Sequence, residues 1–154
     1  MAGYFLDSSA LVKRYVQEAG TAWIRGVTRR GTAHQIYVSR ITAVEVTAAV
    51  ARRRKGGSIP SRQASSVLSR FRKHLAGRYT ILEVTPSILA EAMKLANTQS
   101  LRAYDAVQLT TAIELNNRWV GVGLGGIVLV SADRELNAAA SAKGLAVEDP
   151  TAYP

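Results

Sequence analysis

The amino-acid sequence predicts an α/β fold in which helices cover both faces of a mostly parallel central sheet. Short apolar runs of strand length alternate with longer segments whose apolar residues have helical spacing. Several of these runs, such as GIVLVS, have no polar face, as expected for strands that are buried on both sides. In folds of this class, ligands bind beyond the carboxyl ends of the strands.

The first half of the chain contains two short strands and three helices. The predicted elements are a strand at Tyr4 to Leu6, a helix from Ser8 or Ser9 to about Val16, a strand at Ile36 to Val38, a helix within SRITAVEVTAAVARRR, and a helix from Ser61 to Leu75. The second of these helices ends in four cations before Gly56 and Gly57, which suits the negative end of a helix dipole.

The second half continues the alternation. It comprises the strand YTILEVT, a helix that starts at Pro86 and includes SILAEAMKLAN, the helix YDAVQLTTAIEL, the strand GIVLVS, the helix DRELNAAASAKG and the strand LAVED. The glycine-rich segment NNRWVGVGLGG precedes GIVLVS and is compatible with a hairpin, a loop over the site or a dimer contact. We expect one domain at residues 1–150 and a surface tail at 151–154.

Composition limits the class of protein. The chain has 154 residues, of which 47% are hydrophobic, and no cysteine, which excludes disulfides and thiolate metal sites. No signal-like start and no apolar run near the ~20 residues of a membrane span is present, so we expect a soluble cytoplasmic protein. The net charge of +9 favours an anionic partner such as nucleic acid or an acidic protein segment.

Four acidic residues occupy positions that point towards the protein interior. Asp7 ends the first strand, and Asp133 lies just past GIVLVS, so both are placed at the carboxyl edge of the sheet. Glu45 and Asp105 lie on helices, and Glu45 has mainly small and apolar neighbours one turn away. Carboxylates at one strand edge repel each other unless a divalent cation compensates their charge, and Mg²⁺ and Mn²⁺ prefer such oxygen ligands. An ion held in this way can activate water for in-line attack on phosphorus.

Each acid also has a structural explanation that remains open at this point. Asp7 and Asp133 can cap the helices that follow them, and Asp105 can pair with Arg102. Glu45 is the hardest to explain in this way, because the middle of a helix offers no capping role. The basic run Arg52, Arg53, Arg54 and Lys55 has the same ambiguity: it can contact the phosphates of a nucleic acid or form a solvated helix end.

The segments FLDSSALVKRY, TAVEVTAAV, LRAYDAVQL and LVSADREL resemble, in order, the four acidic motifs of PIN-domain ribonucleases. Among these proteins the chain looks most like the VapC toxins of prokaryotic toxin–antitoxin pairs. The resemblance implies a three-layer α/β/α fold and covers nearly the whole chain. After LRAYDA, many relatives carry His where this chain has Gln108.

The resemblance also implies an activity and a set of functional residues. Asp7, Glu45, Asp105 and Asp133 are expected to hold Mg²⁺ or Mn²⁺ for RNA hydrolysis, and Ser9 and Ser131 to orient substrate or metal-bound water. The expected partners are an RNA substrate, a cognate antitoxin and a second copy of the chain in a homodimer. Two alternatives are a housekeeping RNA-processing nuclease without an antitoxin and a non-catalytic RNA-binding module.

Overall fold

The computed structural model describes all 154 residues as one sheet of five strands with seven α-helices. The strands are β1 (Gly3–Leu6), β2 (Gln35–Ser39), β3 (Thr80–Leu82), β4 (Val128–Val130) and β5 (Ala146–Glu148). The helices are α1 (Ser8–Leu11), α2 (Thr21–Val27), α3 (Thr42–Lys55), α4 (Ser61–Gly77), α5 (Pro86–Gln99), α6 (Ala103–Gly121) and α7 (Arg134–Ala142). Short 3₁₀ helices lie at Val12–Arg14 and Pro150–Ala152.

The sheet has the strand order β3-β2-β1-β4-β5, and every pair of neighbouring strands is parallel. From β1 the chain adds β2 and then β3 on one side of the sheet, and it then adds β4 and β5 on the other side of β1. The point where this direction changes lies between β1 and β4, and the carboxyl edge there is the expected ligand site of such a sheet. The α/β prediction is confirmed, and the sheet is wholly parallel.

Two apolar cores fill the spaces between the sheet and its helices. Because successive side chains of a strand point to opposite faces, Phe5 packs with α5, α6 and α7 on one side and Leu6 packs with α1 to α4 on the other. Leu129 and Val130 of β4 divide in the same way. The structure is thus the expected three-layer α/β/α arrangement, and no helix is both long and apolar enough to cross a membrane.

Two helical boundaries differ from the predictions. The helix predicted to reach about Val16 is α1 followed by a 3₁₀ turn, and the short helix α2 was not predicted. The sequence signal of α2 is weak because the helix has seven residues and contains Gly26. It begins after Gly20, whose φ of +89° lies in the left-handed region and whose missing Cβ would lie 2.5 Å from the carbonyl oxygen of Pro150.

The glycine-rich segment is helical over its first half, since α6 continues to Gly121. Trp119 keeps this part of the helix on the sheet: its ring lies against Gly3, and its Nε1 donates to the Tyr37 hydroxyl at 3.3 Å. The connection to β4 is fixed by the Asn116 side chain, whose Oδ1 accepts from the Ile127 amide at 3.0 Å. The segment is therefore neither a hairpin nor a lid, but the end of a helix and a short turn.

Candidate active site

Asp7 occupies the centre of the site, at the carboxyl end of β1 where the sheet changes direction. It is 3% exposed, and its Oδ1 accepts the Ala10 amide at 3.0 Å, so it caps α1. Its amide donates to the carbonyl of Val130 at 3.1 Å, which ties the residue to β4. The capping role is therefore real, and it fixes the carboxylate at the edge of the sheet where ligands bind.

Two serine hydroxyls, one in α1 and one just after β4, hold the Asp7 carboxylate. Ser9 lies 2.8 and 3.0 Å from its two oxygens, and Ser131 donates to Oδ2 at 3.0 Å. Each hydroxyl also accepts a backbone amide, from Ala132 at 2.9 Å and from Asp133 at 3.0 Å respectively. The single proton of each serine is thus directed at Asp7, and the two serines connect α1 with the loop after β4.

Glu45 lies in the first turn of α3, because this helix begins at Thr42. Its Oε2 accepts from the Ser8 hydroxyl at 3.1 Å, and its Oε1 accepts from the Gln108 amide at 2.7 Å. The expectation that Glu45 lies in the middle of a helix is wrong. The observed position explains how a carboxylate is tolerated there, because a negative charge in the first turn is stabilised by the positive end of the helix dipole.

Gln108 is a contributor to the site that sequence reasoning undervalued. It is 1% exposed, and its Nε2 donates to Glu45 and also to the Thr42 hydroxyl at 2.9 Å, which joins α6 to α3. Its Oε1 is buried and has no hydrogen-bond partner. Its position three residues after Asp105 places it on the same helical face, and this spacing is the signal that could have identified it.

The remaining two acids complete the acidic edge. Asp133 caps α7 by accepting the Leu136 amide at 3.0 Å, and Asp105 is half-buried in the first turn of α6. The pKa of Asp105 is raised to about 6, first by burial and then by the charge of Asp133; Glu45 adds to the increase and Arg102 offsets part of it. The negative charges of Asp133 and Glu45, which come from two other segments, therefore lie close enough to act on Asp105.

The pKa of Asp7 is raised to about 7, chiefly by burial. Hydrogen bonds from Ala10, Ser9 and Ser131 offset part of the effect, and the charge of Glu45 adds to it. The ion pairs of the protein involve other acids, so none of the four carboxylates has a Lys or Arg within 4.0 Å. The pairing of Asp105 with Arg102 that the sequence left open is not formed.

The donor set fits a hard divalent cation. The Asp7 carboxylate and the hydroxyls of Ser9 and Ser131 offer oxygen atoms, which are the ligands that such cations prefer. A buried carboxylate without a cationic partner is also costly to ionise, and a bound cation would reduce this cost. As the side chains stand, however, no three acidic or histidine groups are close enough to form a metal-binding cluster. Binding of an ion by these residues therefore requires side-chain adjustment from this arrangement.

A cleft of about 490 Å³ opens beside the acids, between α1 and α3. Arg52 and Arg53 line it, whereas Arg54 and Lys55 are exposed beyond it. Arg53 pairs with Glu18 at 3.1 Å, and Glu18 also bonds to the buried Lys13 at 3.3 Å. Glu18 therefore joins two cations at the side of the cleft.

The fold is shared with several prokaryotic proteins of known structure. VapBC2 from Rickettsia felis, solved with a DNA fragment of its promoter, is 16% identical with a TM-score of 0.63 over 96% of this chain and 98% of the other. VapC20 of Mycobacterium tuberculosis, a sarcin–ricin loop cleaving toxin, is 14% identical with a TM-score of 0.62 over 88% of this chain and 94% of the other. VapBC-1 of nontypeable Haemophilus influenzae is 19% identical with a TM-score of 0.59 over 97% of this chain and 98% of the other.

No protein of curated function matches this chain significantly. Residues 4–142, in contrast, match the PIN domain family, a span that contains all four acidic motifs. The resemblance inferred from the order of these motifs is confirmed. With the acids brought together at one sheet edge and the match covering most of the sequence, the chain belongs to the PIN domain family of nucleases.

Proposed function

We propose that this chain is a metal-dependent endoribonuclease and the toxin component of a type II toxin–antitoxin system. One observation supports the enzymatic part of the proposal: carboxylates from four segments lie along the carboxyl edge of the sheet, the charge of Glu45 raises the pKa of both Asp7 and Asp105, and none of the four forms an ion pair. The structures of similar fold that are named as toxins or toxin–antitoxin complexes support the biological part.

Asp7, Glu45, Asp105 and Asp133 would hold Mg²⁺ or Mn²⁺. When bound, such an ion lowers the pKa of a coordinated water and neutralises charge that develops on the phosphate. The chain supplies the supports: Ser9 and Ser131 fix the Asp7 carboxylate, and Gln108 and Ser8 fix the two oxygens of Glu45. This set of hydrogen bonds orients the carboxylates before substrate arrives.

The cleft beside these acids gives the substrate backbone a place to bind. Arg52, which lines the cleft without a carboxylate partner, can contact a phosphate directly, whereas Arg53 must first leave Glu18. Arg54 and Lys55 extend the positive charge beyond the cleft along the last turn of α3. Hydrolysis by metal-activated water leaves 5′-phosphate and 3′-hydroxyl ends on the products.

The enzymatic proposal is tested with structured RNA, wild-type protein and Asp7→Asn, in the presence of Mg²⁺ or Mn²⁺ and then of EDTA. We expect cleavage by the wild type only with metal, near-complete loss in Asp7→Asn with an unchanged circular dichroism spectrum, and 5′-phosphate ends on the products. Glu91→Gln, a variant of an exposed acid, is the matched control. Cyclic phosphate ends, or cleavage in EDTA, would contradict the mechanism, and RNA binding without cleavage would favour a non-catalytic module.

The biological proposal is tested by expression in a prokaryotic host. Wild-type protein should arrest growth and Asp7→Asn should not, and co-expression of a small protein encoded beside this gene should relieve the arrest. Normal growth with full ribonuclease activity in vitro would instead indicate a housekeeping RNA-processing enzyme. Sedimentation of the purified protein tests the proposed homodimer.

A further inference from the structure

A second group of charges lies away from the acids, between α2 and the carboxyl end of α4. A cavity of about 470 Å³ there is lined by six residues, which are Arg14, Arg25, Arg29, Arg70, His74 and Arg78. No carboxylate and no apolar side chain lines it. We call this cavity the arginine pocket. Arg78 lies two residues before β3, so the pocket faces the amino ends of the strands, at the opposite edge from Asp7.

Neutral acceptors hold the guanidinium groups in place. Arg14 and Arg78 both donate to Thr28, to its hydroxyl and its carbonyl respectively. Arg25 donates from Nε to the carbonyl of Arg14 at 3.3 Å. None of these residues forms an ion pair, and the Nε of Arg14 is buried without a partner. The pocket is therefore ordered by hydrogen bonds that leave its positive charge uncompensated.

The electrostatic cost of this arrangement is visible at His74. Its pKa is lowered to about 4, first by burial and then by the charges of Arg14, Arg78, Arg70 and Arg30. The ring is consequently neutral near pH 7, and its Nδ1 lies 2.7 Å from the Tyr15 hydroxyl. Burial and the neighbouring Arg14 also lower the pKa of Arg78. An anion in the pocket would relieve this repulsion.

The chemistry of the pocket selects a phosphate group. Planar guanidinium groups bind phosphate through paired hydrogen bonds, and several of them around one cavity match the three or four oxygens of such a group. The pocket offers no apolar side chain to anchor a peptide. Among the anionic partners that the net charge of +9 favours, a nucleic acid is the one that presents phosphates in series, and the proposed ribonuclease function identifies it as RNA.

A groove extends from the arginine pocket towards the catalytic cleft. It shares Arg25 and Arg70 with the pocket and ends near the cleft at Gln17, the neighbour in sequence of the cleft residue Glu18, although it shares no residue with the cleft. Arg62 adds a further charge to the groove. We propose that the arginine pocket is a second phosphate-binding site that holds a backbone phosphate of the RNA outside the catalytic cleft. The proposal deepens the proposed ribonuclease function and rests on it for the identity of the ligand.

The first test uses inorganic phosphate and follows His74 by NMR at constant ionic strength. Phosphate should raise the pKa of His74 and shift its ring protons in the wild type, and should have little effect on the other histidine, His34, which lies outside the pocket. This readout requires neither RNA nor nuclease activity. Absence of a phosphate-dependent change at His74 would overturn the proposal.

The second test measures RNA affinity in EDTA, where no cleavage occurs. Arg70→Gln removes a charge from the pocket, and Arg72→Gln is the matched control because Arg72 is exposed on the same helix and lines no part of the pocket. We expect the Kd for RNA to rise roughly tenfold in Arg70→Gln and to stay unchanged in Arg72→Gln. The slope of log Kd against log salt should fall by about 0.7, the value for one single-strand phosphate contact.

The Arg70 guanidinium also lies 5.8 Å from the centre of the Tyr15 ring, so Arg70→Gln can alter the structure as well as the charge. Arg29→Gln is a second variant of the pocket that avoids this contact. Arg29 is exposed, and its side chain makes no hydrogen bond, so its loss should weaken RNA binding without lowering Tm. Equal RNA affinities for Arg29→Gln, Arg70→Gln and Arg72→Gln would overturn the proposal even if cleavage proceeds normally. A His74 response to polyglutamate but not to RNA would also overturn it, in favour of an acidic protein ligand.

Discussion

Substitution of a buried residue normally lowers the free energy of unfolding. At neutral pH, Asp7→Asn should instead raise the free energy of unfolding of the metal-free protein. The pKa of Asp7 is raised from 3.8 to about 7, chiefly because the carboxyl group is buried. At a pH between these two pKa values, the Asp7 carboxyl group binds more protons in the folded protein than in the unfolded chain. The contribution of Asp7 to the free energy of unfolding of the metal-free protein must therefore fall as the pH rises from about 4 to 7, and the loss is complete above pH 7.

The magnitude follows from the same two values. The difference between 3.8 and about 7 corresponds to about 4 kcal/mol at 1.36 kcal/mol per pKa unit. Asp7→Asn has no charge to bury, so its stability lacks this pH dependence. The stability of the variant relative to the wild type should rise by up to about 4 kcal/mol between pH 4 and pH 8. Asp105, whose pKa is also raised, is present in both proteins and its effect cancels.

The assay is urea unfolding in EDTA, followed by far-ultraviolet circular dichroism at pH 4, 5, 6, 7 and 8. Glu91→Gln, which removes an exposed carboxylate, is the control and should follow the wild type at every pH. A difference between Asp7→Asn and the wild type that changes by less than about 1 kcal/mol over this range would refute the reasoning. It would show that the hydrogen bonds from Ser9, Ser131 and Ala10 stabilise the ionised carboxylate fully.

Four further predictions follow from other contacts. Addition of Mg²⁺ at pH 8 should stabilise the wild type by about 2.7 kcal/mol at 100 times its Kd, and should leave Asp7→Asn nearly unchanged in thermal melts. Gln108→Leu removes the donor to Glu45 and should lower metal-dependent cleavage about tenfold, whereas Thr98→Val, at an exposed helical position, should have no effect in the same assay. Glu18→Gln leaves the buried Lys13 without a carboxylate partner and should cost about 2 kcal/mol in urea unfolding; equal stability would show that the pair is solvent-screened. Gly20→Ala should cost about 2 kcal/mol because the new Cβ meets Pro150 at a φ of +89°, while Gly26→Ala on the same helix, with open space around it, should stabilise the protein by about 0.5 kcal/mol.

The sequence predicted the layers of this fold well because the apolar runs carry a strong signal. Phe5 and Leu6 belong to opposite cores, and neither strand β1 nor β4 has a solvated face, so a parallel sheet with two covering layers was the expected result. Helix α2 escaped detection because its seven residues depend on the packing of Ile24 and on the contact of Gly20 with Pro150, which is distant in sequence. The extension of α6 depends in the same way on Trp119 and Gly3.

The site shows the same division between local and long-range information. The positions of Asp7 and Asp133 follow from the ends of two strands that the sequence predicts, and the structure brings these ends together because β1 and β4 are neighbours. The bond from Gln108 to Glu45 spans 63 residues and that from Ser131 to Asp7 spans 124, so neither was available from local patterns. Lys13 and Glu18 were not predicted because their connection to Arg53 depends on how the 3₁₀ turn Val12–Arg14 packs against α3.

A helix-capping role and a catalytic role are compatible for these acids. Each acid lies at the amino end of a helix: Asp7 and Asp133 cap α1 and α7, and Glu45 and Asp105 lie in the first turns of α3 and α6. Amide groups at these ends favour negative charge, which lowers the cost of gathering four carboxylates without cationic side chains. The compensation is incomplete, since the pKa values of Asp7 and Asp105 remain raised. A site built in this way stays negatively charged enough to attract a divalent cation, and an arginine placed among the acids would remove that attraction.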